Sequence, residues 1–196
     1  RAAAFLIYKH GPIDRVESHN EHWLESDAQL REQFNIFGAK TSQLKKTKFK
    51  SEMKKYFTKA GVPVAPGQVV KSEKDIAKAV KKIGFPMIAK PDNGVGASGT
   101  FKLMKKADLD GFKEAWDGKT AYFFEKFINT NTLVTYDGLV DSKGNVVFET
   151  SLAYVHTPLE LLLSKKDNAY FIEKELDPKL VEYGRAVIKA FGMKER

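Results

Sequence analysis

The stretch Phe85-Pro86-Met87-Ile88-Ala89-Lys90-Pro91-Asp92-Asn93-Gly94-Val95-Gly96-Ala97-Ser98-Gly99, with Thr100-Phe101-Lys102-Leu103-Met104 behind it, decides how the rest of the chain reads. Residues 85–90 are a short apolar run ending in a lysine and predict a buried strand. Residues 91–99 predict a glycine-rich loop, and 100–104 a second strand. Gly94 to Gly99 spell G-x-G-x-x-G, but the dinucleotide-binding fingerprint needs a helix directly after the loop, and here a strand follows. A glycine-rich loop between strands can still cover phosphates, because backbone N–H groups approach oxygen atoms unobstructed; a plain turn is the alternative. Protein kinases place such a loop before the strand carrying the phosphate lysine, whereas here Lys90 comes first. A lysine at the end of an apolar strand is costly to bury without an anionic partner. That points Lys90 at a ligand phosphate, with an edge lysine reaching solvent as the alternative.

Outward from this stretch, the period alternates. Residues 68–70 read as a strand and 73–83 as a helix with Ile76, Ala79, Val80 and Ile83 inward. Residues 107–116 read as a weaker helix and 121–128 as an aromatic-rich strand. The block 68–128 is thus strand, helix, strand, strand, helix, strand, a split β-α-β pattern. Upstream, a helix is predicted over 47–60 with Phe49, Met53, Tyr56 and Phe57 on one face and Gly61 as its stop. A further helix is predicted over 20–34 with Asn20 as its N-cap, and residues 2–7 read as a buried strand. Downstream, 132–140 and 145–155 predict a long hairpin about the turn at 142–145. A loop with Pro158 follows, and then a helix over 177–191 with Asp177 as N-cap and Pro178 in its first turn. Trp23 and Trp116 are expected in the core. His10, His19, His22 and His156 show no metal-ligand spacing and read as structural or surface residues.

The chain has 196 residues, 42% hydrophobic and 30% charged, enough to bury a real core and too apolar for a disordered chain. It has no cysteine, which removes thiol nucleophiles, thiolate metal sites and disulfides, and fits a reducing cytoplasm. No apolar run is long enough to span a membrane. The net charge of +8 is unevenly spread: residues 40–106 hold 17 Lys, no Arg and four acids, while the remainder is acidic. Such asymmetry points to an anionic partner, whether nucleotide, nucleic acid or membrane surface. The chain begins with Arg1, and a further strand is expected after its last helix, so it reads as part of a longer protein.

Lys90 and the loop together resemble the strand, lysine and glycine-rich loop of the ATP-grasp superfamily, which includes biotin carboxylase, carbamoyl-phosphate synthetase and D-alanine–D-alanine ligase. Lys50-Ser51-Glu52-Met53-Lys54-Lys55-Tyr56-Phe57-Thr58-Lys59-Ala60-Gly61-Val62-Pro63 is similar to their helix ending in A-G-V-P. Phe123-Phe124-Glu125-Lys126-Phe127-Ile128 resembles their hinge strand, and residues 135–148 the strand pair opening the third subdomain. The resemblance covers about residues 38–196. It implies an α+β ATP-grasp fold with a small split β-α-β lobe and an incomplete, larger antiparallel lobe. It divides the chain into the tail of a preceding domain (1–37), a linking helix (38–66), the small lobe (67–128) and part of the large lobe (129–196).

The same resemblance implies an ATP site. Lys50 and Lys90 would contact phosphates, and Gly94, Gly96, Ser98 and Gly99 would cover them. Glu125 would accept from the adenine amino group, and the backbone of Lys126, Phe127 and Ile128 would bond the adenine edge. Asp137 is a possible ligand contact, with a turn or strand-edge role equally open. On the residues alone, Lys50 sits in a lysine run that is an ordinary solvated helix face; alignment to A-G-V-P singles it out over Lys48. Many relatives carry an acid for the ribose hydroxyls after the hinge; here Asn129-Thr130-Asn131-Thr132 stands there, and Asn131 or Thr132 is expected to substitute. The Mg²⁺ ligands are expected beyond Arg196, with none in this chain. The implied activity of the intact protein is ATP-dependent, ADP-forming ligation of a small carboxylate to an amine or other nucleophile through an acyl phosphate, this chain alone being inactive. The alternatives are a non-catalytic nucleotide-binding module or a basic nucleic-acid-binding module.

Overall fold

The computed structural model describes residues 1–94, 98–130, 132–164 and 166–195. Two antiparallel sheets carry the molecule. The first is built from β1 (Gly67–Val70), β2 (Met87–Pro91), β3 (Phe101–Leu103) and β4 (Tyr122–Lys126), in the order β1-β4-β2-β3. Helix α5 (Glu73–Ile83) links β1 to β2, and α6 (Asp108–Ala115) links β3 to β4. Each of these β-α-β units therefore has a strand of the other inserted between its own two, as the alternating pattern predicts.

Period-2 alternation sorts the side chains of the central strands onto two faces. Met87, Ala89, Tyr122 and Phe124 point to one, where Ile76 and Ala79 of α5 and Leu109 and Phe112 of α6 complete the core. Phe112 stands edge-on to both Tyr122 and Phe124, with ring centroids 5.0 Å apart in each case. Trp116 stacks on Phe112 and packs against this core, as expected. The opposite face, carrying Ile88, Lys90, Phe123 and Glu125, is left for the site.

The second sheet is β5 (Leu133–Val140), β6 (Val146–Tyr154) and β7 (Tyr170–Ile172), with α7 (Pro158–Ser164) between the last two. The hairpin matches its prediction. Helix α7 and strand β7 stand where the sequence reads as loop, because β7 is only three residues long and gains its identity from pairing with β6. Helix α8 (Pro178–Phe191) begins as predicted, its Asp177 carboxylate accepting from the N–H groups of Lys179 and Leu180. It packs on β5 through Gly184, where an added Cβ would lie 2.4 Å from the Tyr136 ring. The Tyr136 hydroxyl donates to Glu149, which Arg185 grips from α8 at 2.6 Å and 3.1 Å.

Three elements depart from the sequence reading. Residues 2–7 are not a strand but part of α1 (Ala2–His10): three alanines favour helix, Lys9 and His10 suit its C-terminal end, and no sheet edge is offered to it. Trp23 is not core; it is 53% exposed, in edge contact with His22. It lies in a 3₁₀ turn (Glu21–Trp23), capped by Asn20 as predicted, that leads into α2 (Leu24–Gln33). The helix expected over 47–60 is two helices, α3 (Thr41–Lys48) and α4 (Lys50–Lys59), parted at an extended Phe49.

A residue far along the chain makes that break. The Asp92 carboxylate, 5% exposed, accepts from the Ser51 N–H at 2.8 Å and the Ser51 hydroxyl at 2.7 Å. Its carbonyl accepts from the Lys50 N–H at 2.9 Å. The start of α4 is thus capped from the end of β2 rather than by its own flank. Tyr56 and Phe57 of α4 in turn meet Phe191 at the end of α8, so α4 braces the first sheet against the elements of the second. Among the described residues no helix is long and apolar enough to cross a membrane.

Asp92→Ala removes the cap and leaves buried donors without an acceptor, at a cost of about 2 kcal/mol; denaturant unfolding measures it. Gly184→Ala forces a methyl group into the Tyr136 ring and costs about 1–3 kcal/mol, read as a melting point lower by roughly 2–10 °C.

Candidate nucleotide site

On the free face of the first sheet, Lys90 of β2 stands opposite Phe123 of β4 in register, and Glu125 opposite Ile88. Lys90 and Glu125 are therefore diagonal neighbours, close enough for long side chains to meet. They do: the Lys90 ammonium lies 2.7 Å from Glu125 Oε1. Helix α4 covers this face. Its Lys54 ammonium pairs with Glu125 Oε2, donates to the Ala65 carbonyl at 2.9 Å and lies 5.3 Å over the Phe123 ring. One turn earlier on the same helix, Lys50 donates to the carbonyls of Pro91 and Gly94 at 2.8 Å and 2.9 Å.

Between these groups is a cavity of about 390 Å³ whose lining includes Lys50, Lys54, Lys90, Gly94 and Glu125, with Met53 and Phe57 as its apolar wall. A larger cavity of about 440 Å³ lies elsewhere, between residues 35–47 and 191–195. Two of its three lysines serve backbone carbonyls, Lys40 those of Arg31 and Ile36 and Lys46 that of Phe191, and its lining has no lysine–carboxylate pair like that of Lys90 and Glu125. The smaller cavity holds the convergent charges, and the chemistry belongs there.

Electrostatics agree. Burial, and then the positive charge of Lys90 beside it, push the Lys50 ammonium below its usual range. Cations held this close on a half-buried surface favour an anion. Burial pushes the Glu125 carboxyl up, but the hydrogen bonds from Lys54 and Lys90 outweigh it, and Glu125 ends below the ordinary glutamate range. It is a carboxylate, an acceptor only.

The glycine-rich loop is anchored at both ends on Pro91. A Cβ at Gly94 would lie 2.8 Å from that of Pro91, and one at Gly99, where φ is +66°, would lie 3.2 Å from the same ring and 3.3 Å from the Tyr122 hydroxyl. Ser98 is exposed on this loop; Gly96 lies outside the described residues, as does Asn131. At the hinge, the Lys126 N–H is taken by the Pro66 carbonyl and the Phe127 N–H by that of Pro86. Neither donor is open to a base, so of the three N–H groups expected at the adenine edge these two are engaged within the fold. Thr132 donates its N–H to the neighbouring Thr130 hydroxyl. Asp137 is exposed on β5, accepts from Thr135 at 2.6 Å and does not line the cavity. Lys48 pairs with Glu25, so of the two candidate lysines only Lys50 reaches the loop. Sequence reasoning passed over Lys54 and Asp92. The four-residue spacing from Lys50 to Lys54 places both on one helix face, but the surrounding lysine run hides that signal. Among the described residues, no group of three or more His, Asp or Glu side chains is placed to hold a metal ion.

Glu125 supplies stability above the ordinary glutamate range, near pH 4.5, that is lost as pH falls through its lower folded value. The stability gap between the wild type and Glu125→Gln should therefore narrow below pH 4.5, as acid titration of the melting point would show.

Residues 46–156, more than half of the chain, match the family described as the carbamoyl-phosphate synthase L chain, ATP binding domain. The L-arginine-specific L-amino acid ligase of Bacillus subtilis is 26% identical over 198 residues, covering 94% of this chain and 46% of that protein. The carbamoyl phosphate synthase large chain of Hyperthermus butylicus is 23% identical over 115 residues, covering 57% of this chain and 11% of that protein. In structure, the L-amino acid ligase from Bacillus licheniformis superposes with a TM-score of 0.75 at 16% identity, over 98% of this chain and 45% of that one. The ADP complex of N5-carboxyaminoimidazole ribonucleotide synthetase gives 0.71 at 20% identity, over 92% and 47%. The chain thus spans at most about half the length of the curated relatives it matches. With its fold and family match taken together, the chain belongs to the ATP-grasp superfamily, in the family of the carbamoyl-phosphate synthase large-chain ATP-binding domain.

Proposed function

We propose that this chain binds ATP in the cavity under α4, as the nucleotide-binding part of a ligase that joins a small carboxylate to an amine or similar nucleophile. The observation that carries the reading is the convergence of Lys50, Lys90 and Glu125 from three separate elements on one cavity of about 390 Å³. Two cations and one acceptor-only carboxylate suit a ligand with an anionic end and an amino-bearing ring. Lys90 turns from Glu125 to the phosphates, Lys50 adds a second positive charge, and Gly96, Ser98 and Gly99 bring backbone N–H groups over them, while the Gly94 N–H stays on the Pro91 carbonyl and its missing side chain leaves room for the ligand. Glu125 accepts from the adenine amino group. The base-edge donor is the Ile128 N–H, because those of Lys126 and Phe127 are held by Pro66 and Pro86. The ribose contact falls to Asn131 or Thr132, and Asp137 has no part in the cavity.

In the reaction we assign to the intact protein, a substrate carboxylate oxygen attacks the γ-phosphorus of ATP and the bond to the β-phosphate oxygen breaks, giving an acyl phosphate and ADP. The nucleophile then adds to the acyl carbon, loses a proton and expels inorganic phosphate. Lys50 and Lys90 act by position and charge: they offset the negative charge that gathers on the phosphate oxygens, and the loop excludes water that would hydrolyse the acyl phosphate. Mg²⁺, when bound with the nucleotide, would add charge neutralisation. The described residues supply no ligand set for it, so no step is drawn through the metal. A reducing cytoplasm, with its ATP, is the compartment we assign.

A basic nucleic-acid-binding module is the weaker reading, because Lys50 and Lys54 of α4 turn into the cavity and onto backbone carbonyls, and Lys55 pairs with Glu52, so the helix presents no continuous open stripe of cations. Calorimetric titration of the chain with ATP checks the proposal. The wild type should bind, and Lys90→Ala should weaken binding at least about tenfold, near 1.4 kcal/mol. Equal affinity in the two would remove Lys90 from the site.

A further inference from the structure

The lysines of the cavity are not equivalent. Among the described residues, the Lys90 ammonium has one partner, Glu125 Oε1, and its side chain is 32% exposed. The Lys54 ammonium is held on three sides, by Glu125 Oε2, the Ala65 carbonyl and the face of Phe123, with its side chain 21% exposed. Phe123 is itself clamped, since any Cβ at Gly67 would fall 2.2 Å from its ring. One of the two cations on Glu125 is free to leave, and the other is built into the fold.

We propose that Lys54 is a specificity-determining positioning residue: a permanent counter-ion that keeps Glu125 ionised and aimed as a hydrogen-bond acceptor when Lys90 leaves it for a phosphate. The proposal rests on the ATP reading above and adds to it the residue that fixes the base. If Lys90 moved and no other cation remained, Glu125 would be a bare, largely buried carboxylate, costly to keep and quick to take up a proton. Once protonated it would offer a donor, and its preference between ring substituents would be lost. Held ionised by Lys54, it accepts from the exocyclic amino group of a 6-amino purine, whereas at the same position a 6-oxo purine presents the lone pairs of its exocyclic oxygen. A buried polar group left facing the wrong partner is what makes such discrimination strong. The other charges near Glu125 do not supply this hold. Lys50 is committed to Pro91 and Gly94, Lys48 to Glu25, and Glu21 at the cavity rim carries the wrong sign.

Calorimetric titration of the full chain with ATP and with ITP, which differ only at the 6-position of the ring and its adjoining nitrogen, tests the assignment. The wild type should favour ATP over ITP by about tenfold or more. Lys54→Met should lower that ratio about tenfold, and Lys54→Arg, which keeps the charge, should hold it within about threefold of wild type. If Lys54→Met fails to fold, Lys54→Gln carries the same comparison, because it keeps a donor for the Ala65 carbonyl without the charge. Affinities for ATP and ITP that fall together, leaving the ratio intact, would overturn the proposal, since a merely structural lysine would do that. A wild-type ratio near one would overturn it as well. A wild type that binds neither nucleotide would instead overturn the ATP reading on which it stands.

Discussion

A buried carboxylate that closes a helix from forty-one residues away is the joint on which the cavity turns. Asp92 follows Lys90 by two residues, so whatever fixes Asp92 fixes the end of β2 and the root of the glycine-rich loop. By capping α4 it fixes Lys50 as well, one residue before the serine it bonds. Lys54 follows one helical turn later and arrives over Phe123 and Glu125. One set of hydrogen bonds thus places the lysines of two separate elements on a common centre. Preorganisation of this kind lets charges act without first paying to be oriented.

The second constraint is charge balance within the cavity. The cavity lining sets four lysines, Lys48, Lys50, Lys54 and Lys90, against two glutamates, Glu21 and Glu125. The fold offsets the excess with the Glu25 carboxylate for Lys48 and with carbonyl oxygens, Ala65 for Lys54, Pro91 and Gly94 for Lys50. Carbonyl dipoles tolerate a cation but do not neutralise it. The site is stable as it stands and remains electropositive, which suits a ligand arriving with several negative charges. All four lining lysines belong to the lysine-rich stretch 40–106, whereas Glu21 and Glu125 come from the acidic remainder, so the charge asymmetry visible in the composition has a local meaning.

Much of this was legible in the sequence, where local chemistry decides. The apolar run that ends in Lys90 and the resemblance of residues 123–128 to a hinge strand singled out Lys90 and Glu125, and Asp177-Pro178 marked a helix start that the structure keeps. The features that escaped are those in which a distant partner outvotes the local signal. Phe49 looks like one more apolar position of a continuous helix, and only Asp92 shows why the helix restarts after it. Strand β7 is too short to announce itself and exists because β6 has an edge to fill. Residues 2–7 carry a strand-like apolar run, yet without a sheet to join, their alanines decide for helix. Trp23 was assigned by residue type, and type alone does not say which side of a short turn faces water. Lys54 was hidden by abundance, since a run of lysines gives no local hint of which one turns inward.

The strand order of the first sheet also has a temporal side. Strand β4 lies between β1 and β2 although it is the last of the four to be made. Until residue 126 is available, β1 and β2 have no common neighbour, and the half-finished sheet exposes the apolar flanks of both. Contacts of such long sequence separation form slowly, because the chain between them must be ordered first. The lysine of β2 is therefore present well before the glutamate that will share its charge, and a nascent chain stalled before β4 would carry the cations of the cavity without their counter-ion. Insertion of one strand completes the sheet and brings Glu125 to its lysines in the same event, so a folded small sheet and an assembled cavity are a single state of this molecule.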